Sequence, residues 1–299
     1  MSTKDRPLDH LPASMLAMMA ACRDRNEASI LLTRHSIRET MDGKGLSTYE
    51  LPLTDAGRRL AHDWGNVLNS RFGFEISSCL SSPIPRCVET AALMLVGHKG
   101  IDFEALEHNP KVKTALDSPP NFPDSILNSQ GERLEKRANG TLTKTPVVYV
   151  PPECVGRDIE KSGLLVEPGS FVVNVKEAGP FFLKYGALEF MNHFFQGELK
   201  GMKHPRQGAL DILELLFKNR PFHSGHLLLA VTHDTILAAL MGILRERSRI
   251  EESDWPEMME GMMLSFDGNV FEHAILSWYW RDEVHQKKIR DLFLDTETD

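Results

Sequence analysis

The stretch SILLTRHSIRE, residues 29–39, changes character abruptly where its apolar part ends. Residues 28–35, ASILLTRH, contain a short apolar run bounded by polar residues, a pattern typical of a buried β-strand. Arg34 and His35 follow directly, and Arg38 comes three residues after His35. Because this strand ends in fixed cations beside a titratable imidazole, the sequence predicts a binding site at its carboxyl end.

Outward from this stretch, strand-like and helix-like segments alternate. Thr54 precedes a helical pattern as an N-cap, and Asp55 lies in its first turn. The pattern predicts strands at 75–83 and 225–234, and helices at 51–72, 84–95, 208–219 and 235–247. Segments 261–268 and 272–282 are predicted to pair as an antiparallel hairpin. This order predicts an α/β fold, namely a three-layer core in which helices flank a mostly parallel sheet.

The middle of the chain has a different composition. Prolines cluster at DSPPNFPDS, residues 117–125, and the charges there follow no strict period. We therefore expect an α/β core formed by residues 1–97 and 208–299, with residues 98–207 as an inserted, mainly helical cap that contacts substrate. Helices are predicted in this cap at 125–138 and 181–195.

Composition and charge exclude several classes of protein. The formal net charge of -8 argues against a nucleic-acid or anionic-membrane partner, because such partners require a basic surface. No apolar run approaches the roughly 18–20 residues that a membrane span requires. The short apolar segment at 14–22 is interpreted as an amphipathic helix in place of a lipoprotein or export signal. The four cysteines, Cys22, Cys79, Cys87 and Cys154, show neither metal-type spacing nor a disulfide framework, so we expect a cytoplasmic protein.

Three predicted strands end in polar residues of related type. In open α/β sheets the ligand crevice lies beyond the carboxyl ends of the strands, so residues far apart in sequence can converge there. The residues concerned are Arg34, His35 and Arg38 after the first strand, Arg86 after the second, and His233 with Asp234 after the third. Three arginines and two histidines around one point predict an anion pocket.

Phosphate is the anion best matched to this pocket, because each guanidinium presents a planar fork that can hold two oxygens. The cations should also keep His35 uncharged and able to attack phosphorus as a nucleophile, which would give a phosphohistidine intermediate. Asp234 is the candidate that protonates the leaving oxygen. This chemistry requires no metal and no cofactor. The expected partner is a phosphorylated small-molecule substrate.

Four segments together resemble the histidine phosphatase superfamily, also called the phosphoglycerate mutase-like or histidine acid phosphatase superfamily. They are TRHSIR (33–38), LPLTDAGRRLA (51–61), SSPIPRCVETA (81–91) and VTHDT (231–235). The resemblance implies that His35 is phosphorylated, that Arg34, Arg38, Arg86 and His233 hold the phosphoryl group, and that Asp234 is the acid. The second arginine at Arg38, the His233–Asp234 pair and the late segment 254–268 resemble the acid phosphatase branch more closely than the mutase branch.

Two positions depart from the family pattern. Ser36 stands where the family usually has glycine, so its hydroxymethyl group either donates a hydrogen bond to the phosphate or crowds the site. Glu104 is the alternative acid, because the mutase-containing branch places a glutamate after the helix that begins at the third arginine. Arg58 and Arg59 are predicted to belong to a solvated helix face.

Three other functions are compatible with these residues. A phosphomutase of the same fold would return the phosphoryl group to another hydroxyl. A non-catalytic scaffold would bind a phosphorylated partner, with Ser36 as the sign of lost turnover. A metal-dependent phosphohydrolase of the HD type would use the His233–Asp234 pair as metal ligands, although that pair lies on a helix in HD enzymes and follows a strand-like run here.

Overall fold

The computed structural model of the 299-residue chain describes residues 13–39, 51–107, 114–115, 147–148, 158–166, 170–197 and 199–293. The predicted helix at 125–138 and Cys154 lie outside these residues. Within them, no helix combines the length and the apolar character needed to cross a membrane.

Strands and helices alternate through the first part of the chain, as the sequence predicts. The elements are α1 (Ala13–Arg25), β1 (Ser29–Arg34), α2 (Asp55–Ser70), β2 (Glu75–Ser81), α3 (Pro85–His98) and α4 (Phe103–Glu107). Thr54 caps α2, since its hydroxyl accepts a hydrogen bond from the Gly57 amide at 2.9 Å. Pro85 opens α3, where its missing N–H costs nothing and its fixed φ suits a first helical turn.

The remaining elements complete the alternation and add an antiparallel end. They are β3 (Thr114–Ala115), β4 (Val147–Val148), β5 (Glu160–Lys161), α5 (Val175–Phe195), α6 (Pro205–Lys218), β6 (His226–Thr232), α7 (Asp234–Leu244), β7 (Gly261–Asp267), β8 (Ile275–Trp280) and β9 (Glu283–Lys288). Helix α5 contains the segment 181–195 that the sequence predicts as helical. It bends at Gly186, whose φ of 74° is left-handed.

One seven-stranded sheet organises the molecule, in the order β5-β2-β6-β1-β7-β8-β9. The pairs from β5 to β1 are parallel, and those from β1 to β9 are antiparallel. The predicted hairpin of β7 and β8 is confirmed. Strands β3 and β4 form a separate antiparallel pair. The predicted α/β class, with a sheet flanked by helices and parallel in its centre, is confirmed.

Side chains of successive strand residues enter two different cores. Ile30 and Leu32 of β1 pack with α5, α6 and α7, whereas Leu31 packs with α1, α2 and α3. The same alternation occurs in β6, where Leu228 and Leu229 enter opposite cores. Helices therefore cover both faces of the sheet and form a three-layer arrangement.

The division into a core and an inserted cap at 98–207 stays a prediction. Two described elements within this range belong to the main body of the molecule. Strand β5 extends the central sheet beside β2, and Phe190 and Phe194 of α5 lie in the core that α6 and α7 share.

Candidate active site

The predicted site residues follow strands that are neighbours in the sheet. Strands β2, β6 and β1 lie side by side and run parallel, and Arg34 is aligned with Thr232 in the register. Their carboxyl ends consequently share one edge. The amide of His35 donates to the carbonyl of Thr232 at 3.0 Å, which fixes the residue after β1 against the residue before His233.

His35 has a hydrogen-bond partner on each ring nitrogen. Its Nε2 accepts from Nε of Arg86 at 3.0 Å, and its Nδ1 lies 2.8 Å from the carbonyl oxygen of Ser36. A guanidinium can only donate, so Nε2 carries no proton. The proton of the neutral ring is then on Nδ1, which donates to Ser36. This arrangement leaves a lone pair on Nε2, the atom that could attack an electrophile.

His35 is buried together with fixed positive charge. The pKa of His35 lies well below its usual value because burial disfavours the imidazolium and because Arg86 and Arg34 are close. The hydrogen bond to the Ser36 carbonyl acts in the opposite direction. The uncharged ring is therefore the form present near neutral pH, and only this form is nucleophilic.

His233 contacts both Arg86 and the ring of His35. Its ring centroid is 5.5 Å from that of His35, and its Nδ1 is 3.4 Å from Nη2 of Arg86. Its Nε2 is 2.9 Å from the hydroxyl of Ser82 and 3.5 Å from Sγ of Cys87. Burial is the largest cause that lowers the pKa of His233 well below its usual value, and the charge of Arg86 is the next.

Asp234 begins α7 and contacts the first arginine. Its Oδ2 is 2.5 Å from Nη2 of Arg34, and its Oδ1 accepts from the amide of Thr235 at 2.9 Å. Nη1 of Arg34 donates to the carbonyl of Pro256 at 2.7 Å. Nε of Arg34 is buried and has no acceptor among the described residues. Because Arg34 ends β1 and Asp234 begins α7 after β6, this ion pair joins the carboxyl ends of the two strands.

Arg38 is half-buried. Its backbone forms an isolated antiparallel bridge with Leu53. Its Nη1 donates to the carbonyl of Glu39 at 2.9 Å. Its charge is one of the causes that lower the pKa values of His35 and His233. The charge of Arg38 therefore adds to the effect of Arg34 and Arg86 on the two histidines.

Ser36 is fully buried, but its hydroxyl is directed towards a helix. Oγ donates to the carbonyl of Gly57 in α2 at 2.7 Å, and the Ser36 amide donates to Oγ1 of Thr90 in α3 at 3.1 Å. The hydroxymethyl group is thus accommodated between β1 and α2. Its proton is engaged by the backbone of α2.

Glu104 lies in α4, where Arg59 is its ion-pair partner at 2.9 Å. Both side chains are about half exposed. The neighbouring Arg58 corrects a sequence-based prediction, because it is not on a solvated face. Its Nε pairs with Glu89 at 2.8 Å, and this carboxylate is 1% exposed.

Sequence reasoning missed three residues that hold the site together. Ser82 contacts His233, Cys87 contacts the same ring, and Thr90 bridges Ser36 to α3. All three lie in SSPIPRCVETA, the segment that had supplied Arg86 alone. Thr90 had a signal in its helical spacing, because it lies four residues after Arg86 in α3. Ser82 precedes α3 and Cys87 is adjacent to Arg86, so this spacing does not point to them.

The assembled groups suit a phosphoryl dianion. Arginines supply planar donors, His233 supplies an uncharged ring, and His35 presents an unprotonated nitrogen between them. Oxygens of a phosphoryl group bind such donors more strongly in a buried pocket than in water, because the local dielectric is low.

Comparison with known proteins gives one match to a family and several to solved structures. The sequence model of the histidine phosphatase superfamily (branch 1) matches residues 30–108. No curated protein sequence matches the chain. The matched range contains His35 and Arg86 but ends before His233 and Asp234. The acid phosphatase branch, which rests partly on that pair, stays a prediction.

Among the structurally similar proteins, mycobacterial glucosyl-3-phosphoglycerate phosphatase has 13% identity and a TM-score of 0.43, covering 79% of this chain and 89% of its own. Mycobacterial hydrolase 1 has 13% identity and a TM-score of 0.49, with 85% and 99% coverage. Phosphoglycerate mutase from Bacillus anthracis str. Sterne has 13% identity and a TM-score of 0.41, with 89% and 93% coverage. Residues 30–108 of this chain are therefore similar in sequence to the histidine phosphatase superfamily, and the fold brings the motifs of this range to one edge of its sheet.

Proposed function

We propose that this protein is a metal-independent phosphatase that hydrolyses a phosphomonoester through a phosphohistidine at Nε2 of His35. The observation that carries the proposal is the pair of hydrogen bonds on the imidazole. Arg86 donates to Nε2 at 3.0 Å, and Nδ1 donates to the Ser36 carbonyl at 2.8 Å. The attacking nitrogen is thereby unprotonated and surrounded by phosphate ligands.

Arg34, Arg38, Arg86 and His233 are the proposed phosphate ligands. On substrate binding, the Nε–H group of Arg86 would change its hydrogen-bond acceptor from Nε2 of His35 to a phosphate oxygen. This exchange exposes the Nε2 lone pair to phosphorus. The buried and unpartnered Nε of Arg34 is a second donor suited to an incoming oxygen, because buried donors normally have acceptors. Such fixed donors stabilise the charge that the phosphoryl oxygens carry during transfer.

Asp234 is the proposed general acid. Nε2 of His35 attacks phosphorus, the P–O ester bond breaks, and the leaving oxygen takes the proton of Asp234. Water then attacks the phosphohistidine, Asp234 accepts its proton, and the N–P bond breaks to restore the lone pair. Asp234 is preferred to Glu104 because its carboxyl contacts the proposed phosphate ligand Arg34, whereas Glu104 pairs with the half-exposed Arg59.

The contacts of Ser36 and His233 bear on two of the alternatives. The Ser36 hydroxyl is bound to the Gly57 carbonyl, so it gives no support to a scaffold in which serine blocks turnover. His233 contacts Ser82, Cys87, Arg86 and the ring of His35. This environment favours phosphate binding over metal ligation by an HD-type pair. A phosphomutase would use the same groups, and its product separates it from a phosphatase.

The setting of the reaction is part of the proposal. The substrate is a phosphorylated small molecule, and residues 98–207 supply most of its specificity. A cytoplasmic location is supported by Cys22, Cys79 and Cys87, which are buried free thiols.

Hydrolysis of p-nitrophenyl phosphate in the presence of a chelator tests the mechanism. The native protein should hydrolyse it, His35→Ala should not, and His273→Ala serves as a control outside the site. Mass spectrometry after rapid quenching should detect a phosphoryl group on His35. Activity that disappears in chelator and returns with a divalent cation would contradict metal independence. Activity in His35→Ala would contradict the nucleophile assignment.

Product analysis distinguishes the remaining possibilities. Phosphorus NMR of a reaction with a phosphorylated polyol should show inorganic phosphate as the product. A phosphoryl group moved to another hydroxyl would instead indicate the mutase. Phosphate binding by a native protein without any turnover would indicate the scaffold.

A further inference from the structure

Ser36 is held by three elements at once. Its Oγ donates to the Gly57 carbonyl in α2 at 2.7 Å, its amide donates to Thr90 Oγ1 in α3 at 3.1 Å, and its carbonyl accepts from Nδ1 of His35 at 2.8 Å. All polar groups of this residue therefore have partners, and the residue has no exposed surface. The orientation of its carbonyl is fixed by the other two bonds.

The approach of α2 to this segment is unusually close. A Cβ on Gly57 would lie 2.1 Å from the carbonyl oxygen of Ile37, so only glycine allows this contact. The Gly57 carbonyl is consequently within reach of the short Ser36 side chain. Thr90 extends the connection, because its hydroxyl donates to the carbonyl of Arg86 at 2.7 Å. The Thr90 hydroxyl thus links Ser36 with Arg86, the two residues that bind Nδ1 and Nε2 of His35.

The position of the Ser36 carbonyl matters most when substrate is bound. Without substrate, the Arg86 Nε–H at Nε2 already keeps the proton on Nδ1. When Arg86 turns to a phosphate oxygen, this constraint is lost. A proton on Nε2 would then be stabilised by the phosphate dianion, giving a tightly bound complex in which His35 donates a hydrogen bond and cannot attack. The Ser36 carbonyl, which accepts the hydrogen bond of Nδ1, is then the group that opposes the tautomer protonated on Nε2.

We propose that the Ser36 side chain is a positioning group for His35: it anchors the Ser36 peptide to Gly57 so that its carbonyl holds the proton on Nδ1 while phosphate is bound. This inference rests on the proposed function for its catalytic consequence. The tautomer itself can be measured without any turnover.

Histidine tautomers of the ¹⁵N-labelled protein are the direct readout, measured by NMR in saturating inorganic phosphate and assigned with His35→Gln. Ser36→Ala and Ser36→Gly remove the anchor, and Thr90→Val removes the second contact. Ser277→Ala is the matched control, because its buried hydroxyl bonds Gln286 in the β8–β9 hairpin. Native protein and control should show His35 protonated on Nδ1. The Ser36 variants should show a substantial Nε2–H population.

Steady-state kinetics of the Ser36 variants distinguishes a positioning role of Ser36 from a general loosening of the pocket. In Ser36→Gly, kcat should fall about five- to tenfold, as expected for one buried hydrogen bond. Inhibition by phosphate should stay equal or become tighter, because the unproductive tautomer binds phosphate well. General loosening would instead weaken phosphate binding and lower kcat together.

The pH profile provides a second discrimination. Loss of the carbonyl acceptor removes a contact that raises the pKa of His35, so the acid limb of kcat/KM should move to lower pH. Hydration of a loosened pocket would move it to higher pH. An Nδ1–H tautomer that persists in phosphate-bound Ser36→Gly would overturn the proposal. A native protein without phosphatase activity would contradict the proposed function but leave the tautomer result interpretable.

Discussion

Nε of Arg86 and Nε2 of His35 are joined by a hydrogen bond of 3.0 Å, although both side chains would also bind the same phosphoryl group. The bond has two consequences in the unliganded pocket. It marks Nε2 as unprotonated, and it places a positive charge on the side of the ring from which phosphorus would approach. Arg86 is itself only 1% exposed, so solvent does not compete with its guanidinium for the ring nitrogen.

Replacing Arg86 should therefore impair the chemical step. For Arg86→Ala we expect kcat to fall by about 10²–10³, the range seen when one donor to a developing charge is removed. Arg86→Lys should recover part of the loss, because it restores the charge but not the planar fork. Steady-state kinetics with p-nitrophenyl phosphate measures both. Arg71→Ala, outside the site at the end of α2, is the control, and a loss below tenfold in Arg86→Ala would contradict the assigned role.

The acid limb of the pH–rate profile should lie below the usual histidine range. Burial, Arg86 and Arg34 all lower the pKa of His35, and only the uncharged ring attacks. Activity is thus retained as the pH falls below about 6.5 and is lost only when it falls through the depressed pKa. Removing the charge in Arg86→Gln should raise that pKa and shift the limb of kcat/KM to higher pH. A limb that moves to lower pH would show that Arg86 does not act on His35 electrostatically.

The elements and the convergence of the site could be predicted from the sequence because the signals are local. A short apolar run marks β1, Thr54 caps α2, and Pro85 opens α3. Parallel strands share one edge for their carboxyl ends, so the residues after β1 and β6 were expected to meet. No exact knowledge of the sheet order was needed for that step.

Contacts that depend on how two helices pack could not be predicted in this way. The pairing of Arg58 with buried Glu89 exists because α2 and α3 approach closely, at a point where a Cβ on Gly65 would lie 1.9 Å from the Met94 carbonyl. Strand β9, EVHQKK, lacks an apolar run, because it is an edge strand whose side chains are mostly exposed. Its place is set by pairing with β8 and not by its own composition.

Substitution of Asp234 should affect substrates according to their leaving group. An alkoxide needs a proton to depart, so Asp234→Asn should lower hydrolysis of glycerol phosphate by about 10²–10³. The p-nitrophenolate anion is a weak base and leaves without one, so hydrolysis of p-nitrophenyl phosphate should fall less than tenfold. Parallel kinetics with the two substrates gives the comparison.

Glu104→Gln is the matched control for this experiment, since it neutralises the competing carboxylate. It should leave the ratio of the two rates near that of the native protein. The opposite pattern, a leaving-group dependence created by Glu104→Gln and absent in Asp234→Asn, would transfer the role of acid to Glu104.

Arg58 and Arg59 are adjacent in α2 but should differ in their effect on stability. The Arg58 partner Glu89 is 1% exposed, so Arg58→Ala leaves a buried carboxylate without this cation and should lower the free energy of unfolding by about 3 kcal/mol. The Arg59–Glu104 pair is 40% and 46% exposed, and solvent screens it. Arg59→Ala should therefore cost less than about 1 kcal/mol. Urea denaturation followed by circular dichroism measures both values under the same conditions. Equal effects of the two substitutions would mean that Glu89 is stabilised mainly by other groups, and that α2 and α3 are not held together by this ion pair.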